Sequence, residues 1–400
     1  MHPPKWTNYI MLKHIVLLND AQILTRPRPF RLFEMLKNDY KISIIQRAGN
    51  AQNPSCLTLE FDVPKSAKDR SKAENELLIK NCKEGNFNEL IFTKNRAKIM
   101  DFWDIIEQQN GPISGIFVCD IVLLPFALLY KKSSQKNVKI LIDLREFYPK
   151  QSLDPIWQES LGAFFSHLCK NYLKEIDFSI SVSPKICSKY AEFGLKPRLF
   201  YSLPPRFSIR QNYAKKHFKN KKINIIYHGF LSRERNAQML LKIAKLLPNT
   251  FHLYIMGQSN EKGLFENLQK SSKFHKNISF LEMVKMQEII PFCARFDIGI
   301  LTLSPNNFNH AHAIPNKFFE YFASKLVVVS TPQSALKELI YRYKIGKTSK
   351  HFSAHSLASA IIEIGNNLAS YSRALDLAHQ KLNLDANKRK MLGFLDQIFT

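Results

Sequence analysis

Short apolar runs rich in β-branched residues recur along the chain, each followed by a turn and then by an amphipathic stretch. In the first half the predicted strands are HIVLLN (14–19), KISIIQ (41–46), GIFVC (115–119), KILIDL (139–144) and FSISVS (178–183), with helices near 28–38, 123–132 and 184–193. The region 60–110 is polar and helix-prone. Strands alternating with helices predict a parallel sheet covered on both faces. The pattern breaks at YSLPPRFSIRQNYAKK, where paired prolines and a basic run read as a linker between domains.

A second, more regular series follows. Its strands are INIIYHG (223–229), FHLYIMG (251–257), ISFLE (278–282), IGILTL (298–303) and LVVVST (326–331). Helices are predicted at 236–247, 261–272, 285–294, from 315, and at 333–341, and the tail 355–400 reads as helical. The expected organisation is a Rossmann-like domain over 1–205, a basic linker over 206–222, a second Rossmann-like domain over 223–380, and a C-terminal helix, 381–400, packing back on the first domain. At 400 residues there is enough chain for two cores.

Composition narrows the class. Six cysteines lie scattered without a CxxC pair, which points to reduced thiols in a cytosolic protein and gives no zinc spacing. The most apolar segment, 113–130, carries Asp120 at its centre and then Pro125, so it reads as strand, turn and helix rather than a membrane span. YIMLKHIVLL has a central lysine and no small-residue cleavage site, so no signal peptide is expected. The net charge is +25, and the run 206–222 alone holds seven cations and no acid, which suits an anionic membrane surface or a solvated linker. The aromatics sit in apolar strands and helices rather than in a basic platform, against nucleic-acid binding.

Doubly wound sheets bind ligands in the crevice beyond the carboxyl ends of their strands. No complete GxGxxG or Walker loop is present. The loop after the 223–229 strand reads GFLSRERN: Gly229 permits a tight turn, and Arg233 and Arg235 stand at the start of a helix, where free N–H groups and forked guanidinium donors favour phosphate. Gly257 ends the next strand in the same way. In HAIPNKFFEY, Pro315 suits a first helical turn, and Lys317 and Glu320 then share one helical face. Arg235 and Lys317 are expected to meet one diphosphate, and Glu320 to accept hydrogen bonds from a ribose, while Phe318, Phe319 and Phe322 enter the core.

GFLSRERN and PNKFFEYFASKLVVV resemble the G-x-L-x-x-x-R-G loop and the P-N-K-x-x-E-Y-x-A-x-G-x-P-V-V helix of GT-B glycosyltransferases of the retaining family 4 type. FVCDIVLLP (117–125), LIDLREFYPK (141–150) and FSISVSPKICSKYAEFG (178–194) resemble first-half elements of the same family more loosely. The resemblance implies two Rossmann-like domains facing across a cleft, with the first binding the acceptor and the second a nucleotide diphosphate sugar. It implies that Gly229, Arg233, Arg235, Gly257, Asn316, Lys317 and Glu320 hold the donor. Arg235, Lys317, His312 and Glu146 would serve the transfer, Glu146 through the match of DLRE to D-x-H-E. His312, with the weaker candidate His310 nearby, stands where the family often has a glutamate, Arg145 where it has histidine, and Asn236 and Lys325 where it has glycines.

The expected function is transfer of a sugar, with retention, to a glycan or lipid-linked acceptor in bacterial surface-polysaccharide assembly, at the cytoplasmic face of the membrane. No cofactor or metal is expected, because the cations supply the charge and no DxD-type motif stands out. A sugar-nucleotide 2-epimerase on the same fold and a non-enzymatic basic module binding nucleic acid or membrane are the alternatives. Release of nucleotide only with acceptor separates the first, and steep salt dependence without nucleotide binding the second.

Overall fold

The computed structural model describes residues 12–50, 55–62, 71–206 and 222–399. Two parallel sheets organise them. The first contains β1 (His14–Asn19), β2 (Lys41–Arg47), β3 (Leu57–Phe61), β4 (Gly115–Val118), β5 (Lys139–Leu144), β6 (Phe178–Ser181) and β7 (Arg198–Leu199), in the order β3-β2-β1-β4-β5-β6-β7. The second contains β8 (Ile223–Phe230), β9 (Phe251–Gln258), β10 (Ile278–Leu281), β11 (Ile298–Leu301), β12 (Val327–Ser330) and β13 (Gly346–Thr348), in the order β10-β9-β8-β11-β12-β13. The pairings of β1 with β2 and β4, and of β8 with β9 and β11, are parallel. In each sheet the order reverses beside the first strand, between β1 and β4 and between β8 and β11.

By contacts among residues, the chain divides into one compact unit of Met1–Asp143, His167–Ser179 and Met391–Thr400, and another of Leu144–Ser166 and Ile180–Lys390. In the first unit, β1 and β4 are buried along their whole length, as strands covered on both faces must be. Gly115 opens β4 without a side chain because the Phe399 ring lies where one would go: a Cβ there would fall 2.7 Å from it. The polar region folds into helices Lys72–Glu84, Phe87–Ile91, Lys94–Ala97 and Ile99–Asn110, the first closed by a Ser71–Glu74 capping box.

The apolar stretch 113–130 resolves into β4, a turn capped by Asp120, and helix Leu124–Ser134. No described helix is long and apolar enough to cross a membrane. Residues 207–221 of the basic run lie outside the described residues.

Ten strands fall within two residues of their predicted bounds. β3, β7 and β13 were not predicted. β7 has two residues, β13 is the polar triplet GKT, and β3 is mostly half-buried, so none carries an apolar run.

Candidate functional site

β8 ends on His228-Gly229-Phe230, and the chain then turns through Arg233–Asn236 into helix Ala237–Leu246. The two arginines therefore stand immediately before the helix. Asn236 makes the junction with φ 55°, ψ 43°, a left-handed conformation that asparagine tolerates better than most side chains. The Arg235 amide donates to Ser232 Oγ at 3.1 Å, and its carbonyl accepts from Thr302 Oγ1 at 3.3 Å. The loop is thus tied to the end of β11.

From the other side, helix Asn316–Ala323 begins after Pro315. Lys317, in its first turn, crosses to β8: its Nζ lies 3.9 Å from the centre of the Tyr227 ring. Gly229 makes this approach possible. Its φ is 113°, and a Cβ there would stand 3.3 Å from Lys317 Nζ. Gly257, on the neighbouring strand, would with a Cβ come 2.7 Å from the Gly229 carbonyl. Both glycines serve close approach, Gly229 to the lysine and Gly257 to the loop itself.

Arg235, Lys317, Tyr227, Thr302 and Pro315 line one small cavity of about 30 Å³. It lies beyond the carboxyl ends of β8 and β11, at the reversal of strand order where doubly wound sheets bind ligands. Burial, and then the Arg235 charge, pull the Lys317 pKa down to about 7, against the pull of Glu320 in the other direction. Two cations beside one pocket with little water around the lysine disfavour holding both charges at once.

Glu320 lies one turn deeper and is only 4% exposed. Its Oε2 is 3.5 Å from His228 Nε2. His228 is equally buried, and burial followed by Lys317 lowers its pKa to about 3, so the ring is neutral. Among the described residues its Nε2 has no partner within hydrogen-bond geometry. Tyr321 backs the pair: its hydroxyl accepts from the His228 amide at 3.1 Å and donates to the Ile300 carbonyl at 3.2 Å. Phe318, Phe319 and Phe322 are fully buried, so the helix divides into a charged edge and an aromatic core face.

The other candidates are placed differently. Arg233 is exposed and engaged with Glu261, through its amide at 2.9 Å and its Nε at 3.8 Å, away from the Lys317 cavity. Asn316 is the first residue of the helix. His312 ends the short helix Phe308–His312, with Nδ1 2.8 Å from Ser334 Oγ and its ring edge-on to Phe308. Burial, then Lys185, lowers its pKa. His310 approaches Glu234 at 3.6 Å. The Glu146 carbonyl accepts from Tyr190 Oη at 2.6 Å, and the next residue, Phe147, is held by Asn309.

His228 and Asn309 were missed in the sequence. The signal for His228 was its place beside Gly229. Asn309, in a run of polar residues, gave none.

The fold is that of GT-B proteins. The sucrose-phosphate synthase of Thermosynechococcus elongatus superposes with a TM-score of 0.69 at 12% identity, over 97% of this chain and 99% of that one. Anabaena HepE, solved with UDP-glucose, gives 0.67 at 12% identity, over 96% and 99%. A glycosyltransferase from Rickettsia africae gives 0.65 at 16% identity, over 97% and 99%. Within this fold, residues 222–367 match the family described as glycosyl transferases group 1. No curated protein matches the chain in sequence.

Proposed function

We propose that the chain is a glycosyltransferase that takes its sugar from a nucleotide diphosphate sugar. The observation that carries this reading is the meeting of Arg235 and Lys317 at the strand-order reversal of the second sheet, inside the segment of group 1 type. UDP-glucose bound to a structural neighbour supports a donor of this kind. Residues 223–380 would bind the donor and 1–205 the acceptor.

In this reading Arg235 and Lys317 take the diphosphate, with Asn316 and the helix N-terminus beside them, and Glu320 takes the ribose hydroxyls. Negative charge grows on the departing diphosphate in the transition state, so cations fixed beside it lower the barrier, and the mechanism uses no metal. His312 and Glu146 belong to the sugar side. The resemblance to family 4 enzymes supports retention of configuration. A glycan or lipid-linked acceptor of a bacterial surface polysaccharide, reached at the inner face of the cytoplasmic membrane, completes the proposal.

The experiment is a thermal-shift and calorimetric screen of UDP, GDP, ADP and CMP and their sugars. One nucleoside diphosphate is expected to bind, and Glu320→Ala to weaken it by about 1.5–3 kcal/mol with the fold intact, as loss of hydrogen bonds to a charged group does. Unchanged affinity in that variant sinks the ribose assignment. Arg235→Ala is expected to lower turnover more than it weakens binding of the bare nucleoside.

A further inference from the structure

The segment after β5, residues 145–150, carries Arg145 and Glu146, and its backbone is gripped by one side chain from far along the chain. Asn309 Oδ1 accepts from the Phe147 amide at 2.7 Å, while Asn309 Nδ2 donates to the Phe147 carbonyl at 3.0 Å and to the Lys150 carbonyl at 3.2 Å. A carboxamide has one acceptor and two donors, and here both ends are used on the same residue's backbone, as a neighbouring strand would use them. Asn309 is only 5% exposed.

Packing reinforces the grip. Phe308 meets the Phe147 ring edge-on at 5.7 Å, and Lys189 Nζ lies 5.5 Å and 5.9 Å from those two ring centres. Tyr190, fully buried, donates its hydroxyl to the Glu146 carbonyl at 2.6 Å. All these residues belong to the second compact unit. Asn309 lies one turn before His312 and eight residues before Lys317, in the segment leading from β11 to the cation site.

We propose that Asn309 is a positioning residue of the transfer reaction, holding Glu146 in register with the segment that carries His312 and Lys317. It rests on the transferase reading above. Misplacement of a reacting group by about 1 Å costs on the order of a hundredfold in rate, so loss of the grip is expected to show in turnover. Donor affinity is expected to stay, because the hydrogen bonds of Asn309 go to Phe147, Lys150 and none of the nucleotide candidates.

The test compares full-length wild type with Asn309→Ala, Asn309→Asp and Asn309→Gln. Asn309→Asp keeps the acceptor but sets a carboxylate against two carbonyl oxygens, and Asn309→Gln keeps both functions on a longer arm. Without ligand, hydrogen exchange in the peptide spanning 145–150 is expected to quicken at least tenfold in Ala and Asp, with β8 and β11 unchanged. UDP affinity is expected to stay within twofold of wild type. Slow hydrolysis of UDP-glucose, in which water stands in for the acceptor and takes the glucosyl group as UDP departs, is expected to fall at least tenfold in kcat with KM unchanged, with Gln recovering part of it.

Unchanged exchange at 145–150 overturns the grip. Quickened exchange with wild-type kcat overturns the positioning role. Faster exchange throughout the second sheet, with kcat and affinity falling together and Gln no better than Ala, also overturns it, in favour of a purely structural residue. Wild type that binds and turns over none of the nucleotides and sugars in the screen overturns the transferase reading instead, and the exchange result still stands by itself.

Discussion

Lys317 concentrates the chemistry of the site in one amine. Its pKa of about 7 lies below that of an unfolded lysine, so between about pH 7 and 10 the unfolded chain binds the extra proton. Stability contributed at this position is therefore lowest below pH 7 and rises with pH across that window. Lys317→Met is expected to remove the slope and raise the melting temperature at pH 7, at roughly 2–4 °C per kcal/mol for a domain of this size. Thermal scans at pH 7 and 9 check it.

In the proposed function the same lysine would tie nucleotide binding to pH. A diphosphate beside it favours the ammonium, so the bound pKa exceeds the free one and binding takes up a proton. UDP affinity is expected to fall several-fold between pH 7.5 and 9. Lys317→Arg, charged throughout, is expected to bind with little pH dependence. Calorimetry in buffers of different ionisation enthalpy measures the proton, and a wild type that takes up none contradicts this account.

Among elements, two helices are flanked by non-glycine residues in the left-handed conformation. Asn236 and Lys325 stand where the resembled motifs carry glycine, and both keep the left-handed conformation, at φ 55° and 59°. After helix Asn316–Ala323, the amide of Leu326 donates to the Tyr321 carbonyl at 3.0 Å, a Schellman-type closure with Lys325 as its left-handed residue. Lys325 also pairs with Asp376 at 2.7 Å, both half-exposed. Left-handed strain costs about 1–2 kcal/mol, and glycine's greater freedom when unfolded costs about 0.5–1. Lys325→Gly is expected to stabilise the chain by up to about 1 kcal/mol in urea denaturation.

The opposite holds at Gly299 in β11. A Cβ there would lie 2.3 Å from the buried Tyr321 ring. Gly299→Ala is expected to cost about 1–3 kcal/mol, the usual penalty of overpacking. It would also disturb the hydroxyl that holds the His228 backbone.

For the whole molecule the governing quantity is charge. Residues 1–205 hold 29 basic and 21 acidic side chains, and residues 206–400 hold 29 and 12, so +17 of the +25 falls in the second part. If the run 206–222 meets the membrane, anionic vesicles are expected to sediment the protein and neutral ones not. Cations near an anionic surface gain about 1 kcal/mol each, and salt weakens the attraction. Reversing the charge of Lys215, Lys216, Lys221 and Lys222 is expected to release it. Binding that survives the reversal would make the run a linker only.

Local sequence sets the two series of buried strands and the loops that follow β8 and β11. These depend on local patterning: apolar runs select buried parallel strands, and glycine or proline at a turn sets where a loop can approach. Tertiary structure alone decided which polar groups lose their water. His228 and Glu320 are 92 positions apart, and nothing local to either shows that burial leaves them facing each other at 3.5 Å. Arg233 and Arg235 look alike in GFLSRERN and both are exposed, yet one pairs with Glu261 while the other lines the cavity. Asn309 and Phe147 meet across 162 positions. Desolvation and long-range hydrogen bonds are properties of neighbours in space, and the chain acquires those neighbours only when its sheets have formed.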